Sequence, residues 1–457
     1  MIREAIKDLI KWKYRDPRKP LIISGARQVG KTWIMNEFGK TNYEKIAYIN
    51  FDNNQRMKSL FSGSLDIPRL ITALQIESGV TIEANNTLII FDEVQEVPPA
   101  LTSLKYFCEN APQYHIMAAG SLPGIALHEG TSFPVGKVDF LNLYPLSFLE
   151  FLNVTGNENL VNLLKTKDFE LITSFKGRYI DLLRQYYYIG GMPEAVESFI
   201  KTQDYANVRD VHKQLLIAYE QDFSKHAPIE IVPRIRMLWA SIPAQLAREN
   251  RKFVYGLIRQ GARAKDYELA SQWLLDCGLI YKVCRITKPD MPLTAYRDFK
   301  SFKLFVLDVG LLSAMSGLDI KSLLEGNKVF EEFKGSLTEQ YVLQQLIGNK
   351  DIAPYYWSAE KSDGEIDFVF QSAMEIVPLE VKAAENLQAK SLKSYCLRYK
   401  PKHAIRTSMS DYRKEERLTN IPLYAVNMIV NYPTQSEIGY GFLVRRGAFD
   451  TPPLPKR

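Results

Sequence analysis

Along the first third of the chain, short runs of consecutive apolar residues alternate with stretches whose apolar positions recur every three or four residues. Leu21–Ile23, Ile46–Phe51, Leu88–Phe91 and Ile116–Ala119 are the runs. Apolar runs this short, bounded by polar or glycine-containing turns, predict strands buried on both faces, as a parallel sheet requires. The stretch Pro68–Ser78 has helical spacing, and so do Ile2, Ala5, Ile6, Leu9, Ile10 and Trp12, ahead of Pro17. Val138–Tyr144 alternates like a last strand before Pro145. Strands alternating with helices predict a parallel α/β sheet that binds its ligand at the strands' carboxyl ends. Phe148–Phe199 is mostly helical in pattern, interrupted at Gly190-Gly191, with Pro193 suited to the first turn of the next helix.

The first of these runs leads into Gly25-Ala26-Arg27-Gln28-Val29-Gly30-Lys31-Thr32, and the segment from Trp33 to Phe38 continues as a helix. Strand, G-x-x-x-x-G-K-[ST] and helix in that order predict a phosphate-binding loop. Gly25 and Gly30 permit backbone geometries that side chains would obstruct. The amides of residues 25–33, Arg27, Gln28, Val29 and Trp33 included, can then face phosphate oxygens at the positive end of the helix dipole. Lys31 is expected on the β- and γ-phosphates of a nucleoside triphosphate, and Thr32 on a Mg²⁺ ion. The strand Thr87–Phe91 ends in Asp92-Glu93. Asp92 is the expected second contact to the Mg²⁺ shell, and Glu93 the group that orients and deprotonates water. Ser121, at the polar tip of Tyr114–Ser121, is a candidate sensor of the γ-phosphate. Arg178 and Arg184 could also face a nucleotide, although surface positions suit them better.

The remaining pattern is of a different kind. Helices over Ile242–Ala247 and Asp266–Asp276, a turn at Gly261-Ala262-Arg263 and a strand Leu279–Ile286 predict a winged-helix unit, with Arg259, Arg263 and Lys265 near its turn. A helix over Phe330–Leu346 carries Glu339, and two apolar strands come after it, Gly364–Phe370 with Asp367 and Ile376–Lys382 with Glu380 and Lys382. Residues i and i+2 of a strand share a face, so a hairpin would gather Asp367, Glu380 and Lys382, with Glu339 beside them. Carboxylates with a nearby lysine can hold Mg²⁺ and activate water for phosphodiester cleavage. The predicted fold class is therefore α/β: a P-loop NTPase parallel sheet (1–147), a helical lid and linker (148–234), a winged-helix-like unit (235–328) and a PD-(D/E)xK nuclease-like α/β domain (329–457).

Composition adds limits. The chain has 457 residues, 46% of them hydrophobic and 24% charged, ordinary for globular domains. Its net charge of +6 permits nucleic acid as a partner without requiring it. Cys108, Cys277, Cys284 and Cys396 lack metal-ligand spacing and suit a reducing compartment, and no apolar run is long enough for a membrane span. A cytoplasmic protein with no membrane partner and an open oligomeric state is expected.

Taken together, the motifs resemble a bacterial and archaeal group of ATPases with an N-terminal AAA+ domain and a C-terminal domain of unknown function. The resemblance covers almost the whole length. It rests on GARQVGKT (25–32), LIIFDEVQ (88–95), AAGSLPG (118–124), YPLSFLEFL (144–152), GGMPEAV (190–196), SIPAQLARENRKF (241–253), GEIDFVF (364–370) and LEVKA (379–383). It implies ATP with Mg²⁺ as cofactors, ATP held by Lys31, Thr32 and Asp92, and Glu93 as base. It also implies a winged-helix middle region and a restriction-endonuclease-like end. The group usually has glycine-arginine before its last core strand, whereas here Lys137 comes after Gly136. Lysine lacks the planar fork of an arginine finger. Three functional readings are open: a nucleotide-driven switch with ATPase activity, an ATP-gated DNA-binding protein or nuclease, and a regulatory scaffold that docks other proteins.

Overall fold

A computed structural model of the chain describes residues 3–120, 133–248, 252–321, 328–349, 352–359, 364–372, 374–385 and 390–430. Ser121 lies outside the described residues. Five strands, β1 (Leu21–Ser24), β2 (Lys45–Asn50), β3 (Thr87–Asp92), β4 (His115–Ala119) and β5 (Asp139–Asn142), form one sheet in the order β2-β3-β4-β1-β5. Every neighbouring pair in it is parallel. The apolar runs are buried on both faces because each face has its own core. Ile22, Ile89, Phe91, Ile116 and Ala118 point to one core, where Phe51, Phe61 and Phe91 meet edge to face with centroids 5.2–5.9 Å apart. Leu21, Ile23, Leu88, Ile90, Met117 and Ala119 point to the other. That second core does not stop at the sheet. It runs on through the helices after Phe148 and into the C-terminal strands as one contiguous apolar cluster.

The lid pattern resolves into the helices Phe148–Val154, Glu158–Thr166, Phe169–Ser174, Lys176–Ile189, Pro193–Thr202 and Tyr205–His226. Tyrosines make this layer adhere to the C-terminal part of the chain. Tyr186 and Tyr187 lie 5.9 and 5.4 Å from Tyr341, and Tyr179 stacks on Tyr424 at 4.9 Å. Arg178 and Arg184 stay on the lid's own surface, near Asn157 and Asp181 respectively.

Eight further strands form one mixed sheet: β6 (Ile280–Ile286), β7 (Arg297–Val306), β8 (Tyr355–Ser358), β9 (Glu365–Ser372), β10 (Glu375–Val381), β11 (Ala404–Ser408), β12 (Arg413–Lys414) and β13 (Leu418–Pro422), ordered β12-β13-β11-β10-β9-β8-β6-β7. The two expected helices before β6 form, as Val232–Leu246 and Ala264–Asp276. The hairpin they lead to, however, is no free wing. Arg285 and Ile286 of β6 pair in parallel with Tyr356 and Trp357 of β8, so the sheet crosses the boundary at 328 without a break. Satisfying a sheet edge by pairing removes the cost of unpaired backbone groups, and here the hairpin's edge is consumed that way. Among the described residues no helix is long and apolar enough to cross a membrane. The four cysteines are free thiols.

One buried carboxylate ties the layers together. Asp308, fully buried, accepts from the backbone N–H of Gly191 (2.6 Å), Gly310 (2.9 Å) and Leu311 (3.1 Å) and from the Gln344 amide (2.9 Å). Burial pushes its carboxyl upward, and those four donors oppose the push. The doubled glycine of GGMPEAV answers two close approaches: a Cβ at Gly190, at φ +71°, would fall 2.0 Å from Asp308 Oδ1, and one at Gly191 would fall 2.1 Å from the Leu146 carbonyl oxygen. Asp308→Ala strands four buried donors, so it should lower unfolding free energy by about 3–5 kcal/mol in urea denaturation monitored by fluorescence.

Candidate functional site

The loop between β1 and the helix Lys31–Asn42 is shaped by its neighbours. Gly25 has φ +145°, and a Cβ there would sit 2.2 Å from the carbonyl oxygen of Leu143, so only glycine lets the loop turn beside the strand-end segment. The loop is also held from several sides. Arg3 donates to the Val29 carbonyl (3.1 Å) and the Tyr144 carbonyl (2.6 Å) while pairing with the buried Glu150 (3.1 Å). Arg27 pairs with Asp222 (2.5 Å) and contacts His226 (3.1 Å), and the Tyr219 hydroxyl donates to the Arg27 carbonyl (3.0 Å). A Cβ on Gly278, just past the helix Ala264–Asp276, would lie 3.3 Å from the Ala26 nitrogen. The cradle's outer wall is therefore made by the lid and the middle region.

Inside the cradle, Lys31 Nζ donates to the carbonyls of Gly25 (3.0 Å) and Ala26 (2.8 Å). Burial pulls its ammonium down to about 8, against the opposing attraction of Glu93 and Asp92. The Thr32 hydroxyl donates to Asp92 Oδ2 at 2.7 Å, across sixty residues of sequence. Tyr48 on β2 donates to the same oxygen at 2.8 Å. Asp92 reaches this point because β2 and β3 run in register, with Asn50 beside Asp92 at the carboxyl edge. Glu93 comes next in a left-handed backbone conformation (φ +52°), sparsely populated for a non-glycine residue. The Gln95 amide donates to its Oε2.

Thr32 and Asp92 thus meet directly, and Lys31 lies within the field of Asp92 and Glu93, with Gly25, Arg27, Gln28, Val29 and Gly30 forming the loop itself. Trp33 stands at the start of the helix and is 37% exposed, while Ile34, Met35 and Phe38 are buried. Three participants were not singled out in sequence. Tyr48 carries no motif. Gln95 lies inside LIIFDEVQ, two residues beyond the acid it holds. Arg3 precedes the domain altogether. Lys137 lies elsewhere: it precedes β5, whose first residue pairs with the start of β1, and it binds Glu109 at 2.9 Å. That is the sheet edge opposite the cradle.

At the C-terminal site the two strands pair as a hairpin. Leu379 lies opposite Phe368, which sets Glu380 opposite Asp367. Burial and the facing Asp367 push Glu380 up to about 7, against the pull of Lys382 at 2.6 Å. Asp367 Oδ2 accepts the Val381 N–H at 2.8 Å. Glu339, buried on the helix Lys328–Leu346, instead pairs with Lys303 of β7 at 3.6 Å. The sequence pattern did not include Lys303.

Comparison with known proteins bears on the N-terminal part of the chain. Residues 17–152 match a family described as an AAA domain. Residues 180–322 and 334–426 match two families described as domains of unknown function, DUF8612 and DUF4143. No curated protein is significantly similar to the chain. Among solved structures, a Walker-type ATPase of Pyrococcus abyssi is similar over 68% of this chain and 95% of its own, at 15% identity and a TM-score of 0.43. The Thermotoga maritima RuvB Holliday junction branch migration motor is similar over 62% and 89%, at 13% identity and 0.29. The Aeropyrum pernix Orc1 protein, in complex with DNA, is similar over 69% and 93%, at 10% identity and 0.27. With its parallel sheet, the stretch matched to the AAA domain is the fold of a P-loop ATPase.

The loop's dependence on Gly25 is checkable. Gly25→Ala should displace the cradle from Leu143, costing about 1–3 kcal/mol in unfolding free energy and abolishing any thermal stabilisation by added polyphosphate.

Proposed function

We propose that this protein binds Mg-ATP in the cradle of residues 25–33, hydrolyses it, and acts as a nucleotide-driven switch. The observation that carries the reading is the Thr32–Asp92 contact beside the buried Lys31 ammonium. A hydroxyl, a carboxylate and a desolvated cation gather where a triphosphate and its metal need them. The residues fit both groups: Lys31 directs its donors to two loop carbonyls that an anion would replace, and Thr32 and Asp92 offer oxygen ligands. Bound Mg²⁺ would neutralise charge developing on the phosphate oxygens.

The protein's own groups supply the rest. The loop amides and Lys31 bind and orient the phosphates. Tyr48 holds Asp92 in place against Thr32. Glu93 takes the proton of the attacking water, and Gln95 holds its carboxylate until substrate displaces that bond. The switch arises from the elements that touch the loop. Arg27, Ala26 and Val29 each contact a different element, so a change in loop conformation with phosphate reaches the lid helix Tyr205–His226, the turn at Gly278 and the N-terminal Arg3. From the lid, the Gly191–Asp308–Gln344 bonds continue to the helix Lys328–Leu346.

Two rival readings remain from the same chain. A DNA-cleaving reading would use Asp367, Glu380 and Lys382. A scaffold reading keeps nucleotide binding, with other proteins as the partners it docks. A steep salt dependence of DNA affinity would separate the first from the second.

Three measurements test the main reading. Lys31→Ala should weaken ATP binding by two orders of magnitude or more in calorimetry, about 3 kcal/mol by the affinity relation; equal binding by both proteins refutes the site. Glu93→Gln should keep ATP affinity within a few-fold while slowing steady-state hydrolysis at least a hundredfold. The Lys31 ammonium, lowered to about 8, also sets a pH dependence. Below pH 8 it is charged before ATP arrives. Above pH 8 binding must take up a proton, so affinity should fall as pH rises from 8 to 10, with proton uptake visible as a buffer-dependent heat. Affinity unchanged over that range would contradict the assignment.

A further inference from the structure

The sequence pattern points to a divalent metal at Glu339, Asp367 and Glu380, and the side chains there do not fit one. Lys303, on the hairpin strand β7, is completely buried, with its Nζ 2.5 Å from Glu365 Oε1 and 3.6 Å from Glu339 Oε2. The ring of Tyr356 lies under the ammonium at 5.0 Å. A Mg²⁺ ion demands several oxygens at about 2.0–2.1 Å in near-octahedral array. An ammonium answers the same negative charge at longer range, here with a hydrogen bond to Glu365 and an ion pair to Glu339. Glu339, the carboxylate that the helix was expected to bring toward Asp367, is turned to this ammonium.

The other carboxylates are also engaged by the chain. Asp367 Oδ2 accepts the Val381 N–H, and Glu380 Oε1 is paired with Lys382. Glu380 Oε2 keeps no hydrogen-bond partner, a single buried oxygen facing another acid. Among the described residues no three His, Cys, Asp or Glu side chains are placed to hold a metal ion.

We propose that Lys303 is the resident cation of this polar core, taking the place of a divalent metal and pinning the β6–β7 hairpin to β9 and to the helix Lys328–Leu346. Each pairing spans a long stretch of chain: Lys303 belongs to the hairpin, Glu339 to the helix and Glu365 to β9. A buried carboxylate beside a partly buried one would be unfavourable without a cation, and the lysine offsets one of the two negative charges while its stem packs in the sheet. The C-terminal core is thereby assigned a role in rigidly joining the middle and last parts of the chain rather than in metal-dependent cleavage.

The test uses the full chain, without nucleotide, titrated with Mn²⁺ alone in a calorimeter. Comparing the unaltered protein with Glu380→Gln subtracts whatever the cradle at Thr32 and Asp92 takes up. The two isotherms should be indistinguishable; a Mn²⁺ binding event present in the unaltered protein and lost in Glu380→Gln would overturn the proposal. In the second arm, Lys303→Met should unfold at clearly lower urea concentration, and adding Glu365→Gln, which removes one charge of the opposite sign, should recover at least half of the loss. A Lys303→Met protein as stable as the original would equally defeat the assignment.

Discussion

Burial of the Lys31 ammonium is the constraint around which the N-terminal half is arranged. Out of water the charge is costly, and the chain offsets the cost with two backbone carbonyls and the field of Asp92 and Glu93. Those carbonyls are available only because the loop turns at Gly25, where Leu143 leaves no room for a side chain. The two acids are available only because β3 ends level with β2 and beside the loop. A cation held short of solvation is a cation that gains when a polyanion arrives. The same desolvation that weakens its hold on a proton strengthens its attraction to phosphate.

Several elements bear on the loop. An N-terminal arginine, a lid helix and the cap of a middle-region helix each touch a different loop residue. Side chains packed at interior density cannot absorb a shift of even a few tenths of an ångström without moving their neighbours. The continuous core from the first sheet to the last strands, stitched by Tyr179, Tyr186, Tyr187, Tyr341 and Tyr424, therefore gives a conformational change at the loop a solid path outward. Asp308 is the narrowest point on that path, since one carboxylate joins the lid, its own helix and the helix of Glu339.

At the far end, acids and lysines are paired across distant stretches of chain. Lys303 meets Glu365 and Glu339, and Lys382 meets Glu380. These pairings specify how the sheet, the hairpin and the helix fit together. It does so from three separate stretches of chain, which is how a sheet can run unbroken from the middle region into the last.

The N-terminal sheet and its cradle could be read from the chain alone because their signals are local. Apolar runs fix strands, glycines and a lysine at set spacing fix the loop, and two acids at a strand end need only the strand to be placed. The register that opposes Asp367 and Glu380 was likewise implied by two short strands and the turn between them. Tertiary structure alone decided the contacts between residues remote in sequence: Tyr48 on Asp92, Arg3 behind the loop, Arg27 on Asp222, and Asp308 under Gly190. The hairpin's entry into the last sheet belongs with these, because an edge strand's partner is chosen by backbone groups that every residue carries. Lys303 is the clearest case. A lysine among apolar neighbours in a strand announces no partner, and only the packing of β7 beside a helix and β9 shows which carboxylates its charge must answer.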